Sequence, residues 1–310
     1  MPRDGYTLAT NIAKDWKDMK ETILDLARRA GISLREVTSI NELGLDFQTA
    51  IGEALDGTKW ILRVPRRKDL FSQIQKEQSS LNFLKTKVSF DVPDWKVVTR
   101  ELVAYPLLPD RPALEVNPLS QEFTWNIDLN SQLYTESLGL ILVELHRLTD
   151  EAKKLGVEVK TPETVRRDFL DDLQLIQTEL GVPANLENQW RSWIDDDTYW
   201  PSFASLIHGD LYAGHTLVDS AGRISGIIDW SEMQIGDSST DFAGQYVALG
   251  EAQLDQLLSV YQATGGKTWP PMKEHIIQRA SAAPLKFAVF ALNTKNDELI
   301  LAAKEQLKSV

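Results

Sequence analysis

The 310-residue chain contains no cysteine. Disulfides, thiolate nucleophiles and cysteine-based zinc sites are therefore excluded. Basic residues are in deficit, with 33 Lys and Arg against 45 Asp and Glu and a formal net charge of -12. Phosphate backbones attract basic surfaces, so a general role in binding nucleic acid is disfavoured and a cationic small molecule is the better electrostatic match. No segment approaches the roughly 20 apolar residues that span a bilayer, and residues 1–10 hold no continuous apolar run of a secretory leader. The expectation is a cytoplasmic protein with no membrane partner. Zinc-site spacing, a Walker loop and the dinucleotide glycine fingerprint are also missing, as are internal repeats and low-complexity stretches. What is present, 43% hydrophobic and 25% charged residues, is an ordinary globular composition, and the length favours two lobes over one compact core.

Ile12, Trp16, Met19, Ile23 and Leu26 fall at helical spacing within residues 8–29, and Gly31 stands at the expected C-cap. Three β-like runs follow, over 36–43, 47–55 and 59–64, parted by Gly44-Leu45-Asp46 and Asp56-Gly57, and they read as an antiparallel meander. Pro65 ends the third. A helix is expected over 70–87, then two more β-like runs, 95–99 and 102–105, before the non-helical Pro106-Leu107-Leu108-Pro109. Placing the boundary there gives residues 1–106 as a β-rich small lobe with a leading helix and 107–310 as a mainly helical large lobe. Helices are expected over 130–148, from Thr161-Pro162-Glu163 onward, and over 253–264, 272–292 and 297–307. The fold class is α+β.

The chemistry concentrates in Ile207-His208-Gly209-Asp210, Gly214-His215 and Ile227-Ile228-Asp229-Trp230. A short buried strand leads to Asp210, and a hairpin over 216–219 and 223–228 returns Asp229 toward it. Two carboxylates arranged in this way suit a divalent metal and a phosphoryl group, and protein kinases use such a pattern. Asp210 is the candidate base for a substrate hydroxyl. Asp229 is the candidate magnesium ligand, since that ion prefers oxygen donors and bridges nucleotide phosphates. His215 stands where kinases usually carry asparagine, and either ligates the metal or orients Asp210. Asp241 is expected to support the loop of His208 by accepting backbone hydrogen bonds, while Asp237 reads as an N-cap. Arg63 occupies the position of the kinase lysine, with Arg66 and Arg67 as alternatives and Glu77 as its ion-pair partner. Gly44 lies in a turn able to cover phosphates. His146 reads as a packed or hydrogen-bonded residue, and His275 has no evident carboxylate partner.

The string from His208 to His215, with Ile228-Asp229-Trp230-Ser231-Glu232 and Asp237 to Asp241, closely resembles the macrolide 2′-phosphotransferases of the aminoglycoside-phosphotransferase and kinase-like superfamily. The likeness extends to Asn41-Glu42-Leu43-Gly44-Leu45-Asp46-Phe47, to Trp60 through Arg67, to Leu142 through His146 and to Trp269 through Ile277, so it covers nearly the whole chain. His215 and Arg63, departures from the general kinase plan, are what this subfamily looks like. The resemblance implies a bilobal protein-kinase-like fold and transfer of the γ-phosphate of GTP, in preference to ATP, with Mg2+, to the 2′-hydroxyl of the desosamine sugar of a macrolide. It also implies a base seated against Tyr105 to Leu107 and a monomeric enzyme. Desosamine carries a cationic dimethylamino group, which Glu232 or Asp210 would approach. Tyr212, Ala213, Met272, Ile276 and Phe287 are candidates for the macrolide wall, with core packing the competing reading for the last three.

Two other functions compete. One is a kinase for an aminoglycoside, amino alcohol or sugar, although 272–292 is mainly apolar and basic where a polycationic substrate would want carboxylates. The other is a non-catalytic kinase-like binding protein, which would have no reason to keep Asp210, Asp229 and a phosphate cation together.

Overall fold

The computed structural model describes residues 4–42, 44, 46–117 and 122–309, with their side chains described from Trp16 to Lys308. The side chain of Ile12, and Leu43 and Leu45 of the first turn, lie outside the described residues. Chain contacts group the molecule into two compact units, the first made of residues 1–110, 116–124 and 226–231 and the second of the rest. The grouping is discontinuous, whereas the sequence suggests one cut at residue 106.

The first unit opens with α1 (Asp4–Arg29), which ends at Gly31 with φ 83°. It continues through β1 (Leu34–Asn41), β2 (Phe47–Ala54), β3 (Lys59–Pro65), α2 (Phe71–Leu84), β4 (Val97–Val98) and β5 (Val103–Pro106). The strands form one antiparallel sheet in the order β1-β2-β3-β5-β4. Alternation along each strand sorts the side chains onto two faces. Ala50, Leu62 and Ala104 pack with Ile23, Leu26 and Ala27 of α1, whereas Phe47, Val103 and Tyr105 pack with Leu70 and Ile74 on the α2 side. Arg63 is one residue from Leu62 and pairs in register with Val103, so it shares the α2 face. The buried positions of α2 are Ile74, Glu77, Leu81 and Leu84, a helical stripe with one carboxylate in it.

The second unit is helix-rich. In chain order β6 (Arg111–Pro112), then β7 (Leu114–Val116) and β8 (Phe123–Trp125), which pair with each other and whose residues 116 and 123–124 group with the first unit, precede α3 (Gln132–Arg147), α4 (Thr149–Lys154), α5 (Pro162–Glu179) and α6 (Ala184–Asp195). The capping expected at Thr161 is present, its side chain accepting from the Thr164 amide with Pro162 in the first turn. Next come β9 (Ser205–Ile207), β10 (Thr216–Val218), β11 (Ile224–Ile227) and β12 (Gln234–Gly236), then α7 (Thr240–Leu249), α8 (Glu251–Ala263), α9 (Met272–Ser281), α10 (Ala283–Thr294) and α11 (Asp297–Ser309). The single helix expected over 272–292 is therefore two. Pro284 sits in the first turn of α10, where its missing N–H is tolerated, but inside a continuous helix it would break the ladder. The antiparallel pairing of β9 with β12, register Leu206 to Ile235, has no counterpart in the sequence reading.

The core of this unit gathers Phe169, Leu173, Trp190 and Trp193 against Leu285, Ala288 and Leu307. A second contact brings α3 against α8 through Gly139, where an added Cβ would lie 2.7 Å from Val260 Cγ1 and 3.4 Å from the Tyr261 amide. The closeness leaves no room for a branched side chain. Gly139→Leu is expected to lower the unfolding free energy by about 1–3 kcal/mol through overpacking, read as a lower urea midpoint at unchanged m-value; an unchanged midpoint would remove this contact from the packing account.

Candidate active site

In the helical unit, β9 delivers His208, Gly209 and Asp210 in sequence. The turn is possible because Gly209 takes φ 92°, and a Cβ there would sit 2.3 Å from the Glu232 carbonyl oxygen. Asp241, fully buried in the first turn of α7, accepts the His208 amide at 2.9 Å and the Gly209 amide at 2.9 Å. His146 Nε2 lies 3.3 Å from the same carboxylate, and its Nδ1 lies 2.7 Å from the Tyr261 hydroxyl. The His208 ring is buried and accepts the Asp210 amide at 3.2 Å. The outcome is a peptide loop fixed from beneath that presents the Asp210 side chain, 61% exposed, at the surface of the unit.

His215 Nδ1 lies 2.7 Å from the Asp210 carbonyl oxygen and 3.7 Å from its carboxylate. A carbonyl only accepts, so the ring proton is assigned to Nδ1 and the lone pair to Nε2, the one ring atom that remains a candidate metal donor. Tyr212 packs edge-on to His215, with centroids 4.4 Å apart, and is 37% exposed. Glu232 is exposed as well. The other residues expected to line a substrate wall are not on a surface: Ala213 is 0%, Met272 2% and Ile276 0% exposed. Met272 and Ile276 are four apart on α9, and that stripe turns inward where α9 packs on α7. Phe287 packs partly buried against the apolar core.

In the sheet unit, Arg63 Nη1 binds Glu77 Oε1 at 2.8 Å. The guanidinium lies 4.2 Å from the Phe47 ring centroid and 5.5 Å from that of Trp95. Burial works against its charge, but Glu77, Tyr105 and Asp229 outweigh burial and push its pKa up, so it stays cationic. Burial pushes the Tyr105 hydroxyl up to about 12. Arg66 and Arg67, the alternative cations, have other partners: Arg66 donates to the carbonyls of Gly44 and Glu42 at 2.9 and 2.8 Å, and Arg67 pairs with Asp46 at 2.6 Å. Arg66 thereby ties down the turn of Gly44, where a Cβ would meet the Phe47 carbonyl oxygen at 2.5 Å. The Leu107 amide donates to the Lys59 carbonyl at 2.8 Å and closes the β3–β5 pairing.

Asp229 belongs to this unit. Its segment is anchored by the Ile227 amide on the Asp91 carbonyl at 2.9 Å and by Trp230 stacked on Phe90. Asp229 itself has φ 64°, a left-handed backbone that is strained for most side chains and that aspartate tolerates better than most. Ser231 donates to its Oδ1 at 3.2 Å. Among the described residues, no three His, Cys, Asp or Glu side chains converge to hold a metal by themselves. The Asp229 carboxylate is a hard oxygen donor, the kind that magnesium takes alongside waters and substrate phosphates.

A buried polar cluster escaped the sequence reading. His275 Nε2 lies 2.7 Å from Asp237, which also accepts the Ser239 amide at 3.0 Å and pairs with Arg279. Trp193 Nε1–H donates to His275 Nδ1 at 3.0 Å, which fixes a neutral imidazole with its proton on Nε2. Burial opposes the charge of Asp237, yet Arg279 and His275 hold its carboxyl well below the usual range. Asp237 is thus more than a cap: it anchors the start of α7, four residues before Asp241. The one sequence signal was a histidine and an arginine four apart on α9, which pair spacing alone could not link to residue 237.

Residues 39–275 match the phosphotransferase enzyme family, APH. The uncharacterized protein YcbJ of Bacillus subtilis (strain 168) is 38% identical over 296 residues, 94% of this chain and 96% of its own. Among solved structures, macrolide 2′-phosphotransferase type I matches with a TM-score of 0.88 at 38% identity, covering 93% of this chain and 96% of its own. The apoenzyme of macrolide 2′-phosphotransferase MphH from Brachybacterium faecium matches with a TM-score of 0.85 at 36% identity, covering 94% and 98%.

The locked imidazole carries a pH signature. Burial lowers the pKa of His275 in the folded state, so on acidification the unfolded chain takes up this proton first, at about 6.5. Its contribution to stability is complete above that pH and is lost as pH falls. Urea unfolding at a series of pH values should show the wild type losing stability between about pH 7 and 5 more steeply than His275→Gln, by up to about 1.4 kcal/mol per pH unit. Parallel slopes would mean that His275 is not held neutral.

Proposed function

This chain belongs to the phosphotransferase enzyme family APH, and on that premise we propose that it inactivates macrolides by transferring the γ-phosphate of GTP, with ATP the less favoured donor, to the 2′-hydroxyl of their desosamine sugar. The observation that carries the substrate class is the likeness, over nearly the full length, to two macrolide 2′-phosphotransferases. The acidic chain suits a cationic dimethylamino sugar. Intracellular nucleotide supports a cytoplasmic location, and a monomer is the proposed working form.

In this reading Asp210 orients the 2′-hydroxyl and takes its proton as the sugar oxygen bonds to the γ-phosphorus, while the bond from that phosphorus to the β-phosphate bridging oxygen breaks and the nucleoside diphosphate departs. Asp241 and His208 act through the loop backbone by fixing where Asp210 stands. His215 holds the Asp210 peptide through Nδ1 and has Nε2 for a metal. Asp229 is the carboxylate that would hold Mg2+, which when bound neutralises charge developing on the phosphates. Arg63 is the phosphate cation. Clamped by Glu77 and two aromatic rings, it is pre-positioned and loses little freedom when nucleotide binds. The turn of Gly44 covers the phosphates, and remaining backbone groups of Tyr105 to Leu107 hold the base. On the acceptor side Tyr212 and Glu232 are exposed for the sugar and its ammonium.

The test is phosphate transfer by purified protein with magnesium, GTP or ATP, and panels of macrolides and aminoglycosides. Macrolide-dependent turnover, faster with GTP, is expected; its absence with both nucleotides sinks the reading, and turnover on aminoglycosides alone reassigns the substrate. Separately, Asp210→Ala should keep its fold and its nucleotide affinity while turnover drops at least about a hundredfold. Near-normal turnover would take Asp210 out of the chemistry.

A further inference from the structure

The helical unit contains a cavity of about 600 Å³ to which the reaction assigns no ligand, within the size range of small-molecule sites. His146 and Tyr261 line it, together with apolar surface from Val159, Pro162 and Phe203. Its charged groups are unevenly matched. Lys153 has Asp150 at 3.6 Å, and Glu163 sits in the first turn of α5, where its own backbone amide and Thr161 satisfy it. Arg147 and Lys267 form no ion pair among the described residues: Arg147 donates to the Thr264 carbonyl at 2.7 Å, and the Lys267 ammonium lies 5.7 Å over the Phe203 ring. With Arg147, Lys153 and Lys267 set against Asp150 and Glu163, the lining carries a net positive charge of one, against the net charge of -12 of the chain, and that local excess attracts anions.

The wall is built rather than loose. Gly265, at φ 95°, brings its backbone so near Arg147 that a Cβ would lie 2.6 Å from Nη2, and a Cβ on Gly266 would lie 2.4 Å from the Tyr261 ring. The same tyrosine begins a hydrogen-bond chain. Asp241 only accepts, so His146 donates to it through Nε2–H and accepts the Tyr261 hydroxyl proton at Nδ1. Asp241 in turn holds the His208 and Gly209 amides, the two that precede Asp210.

We propose that this cavity is a binding site for a small organic anion, a phosphate or a carboxylate on an apolar body, and that its occupancy is transmitted to Asp210 through Tyr261, His146 and Asp241. The Arg147 fork and the Lys267 ammonium take the anionic head, and Phe203, Val159 and Pro162 take the body. A ligand that presses on Tyr261 or competes for its hydroxyl changes the hydrogen bond to His146, and with it the support of the loop. Neither cation belongs to the phosphotransfer machinery, so a failure of the macrolide assay has no bearing on this site.

Two probes distinguish the head groups, phenyl phosphate and phenylacetate, each titrated calorimetrically into the full-length protein. Saturable binding of at least one is expected, weakened roughly tenfold or more in the double variant Arg147→Gln/Lys267→Gln. The single exposed substitution Lys267→Gln gives the same direction with less risk to folding. Hydrogen exchange at the amides of His208 to Asp210 should change on binding in the wild type, and in Tyr261→Phe binding should persist while that change is lost. No saturable binding of either probe, or equal affinity in wild type and variants, overturns the site. Binding without any change at His208 to Asp210 overturns the coupling.

Discussion

Asp241 accepts the amides of His208 and Gly209 with one carboxylate, out of contact with water, at the start of a helix that is itself anchored by a second buried carboxylate, Asp237. A buried charge is costly unless its hydrogen bonds are filled, and here the filling groups are the loop backbone and a histidine. The cost and the function share one geometry: Asp241 is tolerable in the core because it holds the loop, and the loop stands in one place because Asp241 must be satisfied. Gly209 completes the constraint, since only a residue without Cβ turns beneath the Glu232 carbonyl at φ 92°. Asp210 can be both solvent-exposed and well placed because its main chain and that of the two residues before it are held, by Asp241, His208 and His215.

The sheet unit solves the same problem with a cation. Strand alternation puts Arg63 on the α2 face, and the helical stripe of α2 puts Glu77 opposite it. Phe47 and Trp95 flank the guanidinium, a weakly hydrated plane that stacks where an ammonium would need water. That gives a physical reason for arginine at a position where kinases use lysine. Asp229 contributes to the same electrostatic neighbourhood from a segment that is remote in sequence and anchored by Phe90 and Asp91.

Local rules were readable without coordinates. The three-strand antiparallel meander with two further β runs, the helix opened by Thr161 and Pro162, and the strand-loop pattern around Asp210 all follow from period, turn residues and capping; the joining of the five strands into one sheet does not. Where the sequence reading left alternatives open or missed a feature, the deciding information was non-local. Met272 and Ile276 carry the right chemistry for a macrolide wall, but apolar residues four apart on a helix serve a core and a pocket equally well until the packing partner is known. The split of 272–292 was signalled by Pro284, whose weight was missed within a strongly apolar run. His275 seemed isolated because its carboxylate partner, Asp237, lies on another element.

The sequence by itself determined the phosphotransferase family and named the candidate groups, because chemistry depends on residue type and short spacing, and both are written in Asp210, His215, Asp229 and Arg63. Only the tertiary structure decided which partner each of several similar side chains meets. Of three arginines on and just after β3, one meets Glu77 while its neighbours tie down the turn of Gly44 and pair with Asp46. Of four histidines, each is committed by the partner that its ring nitrogens meet. Those partners come from segments far apart in the chain, and burial rather than sequence order determines which of them a desolvated polar group must accept.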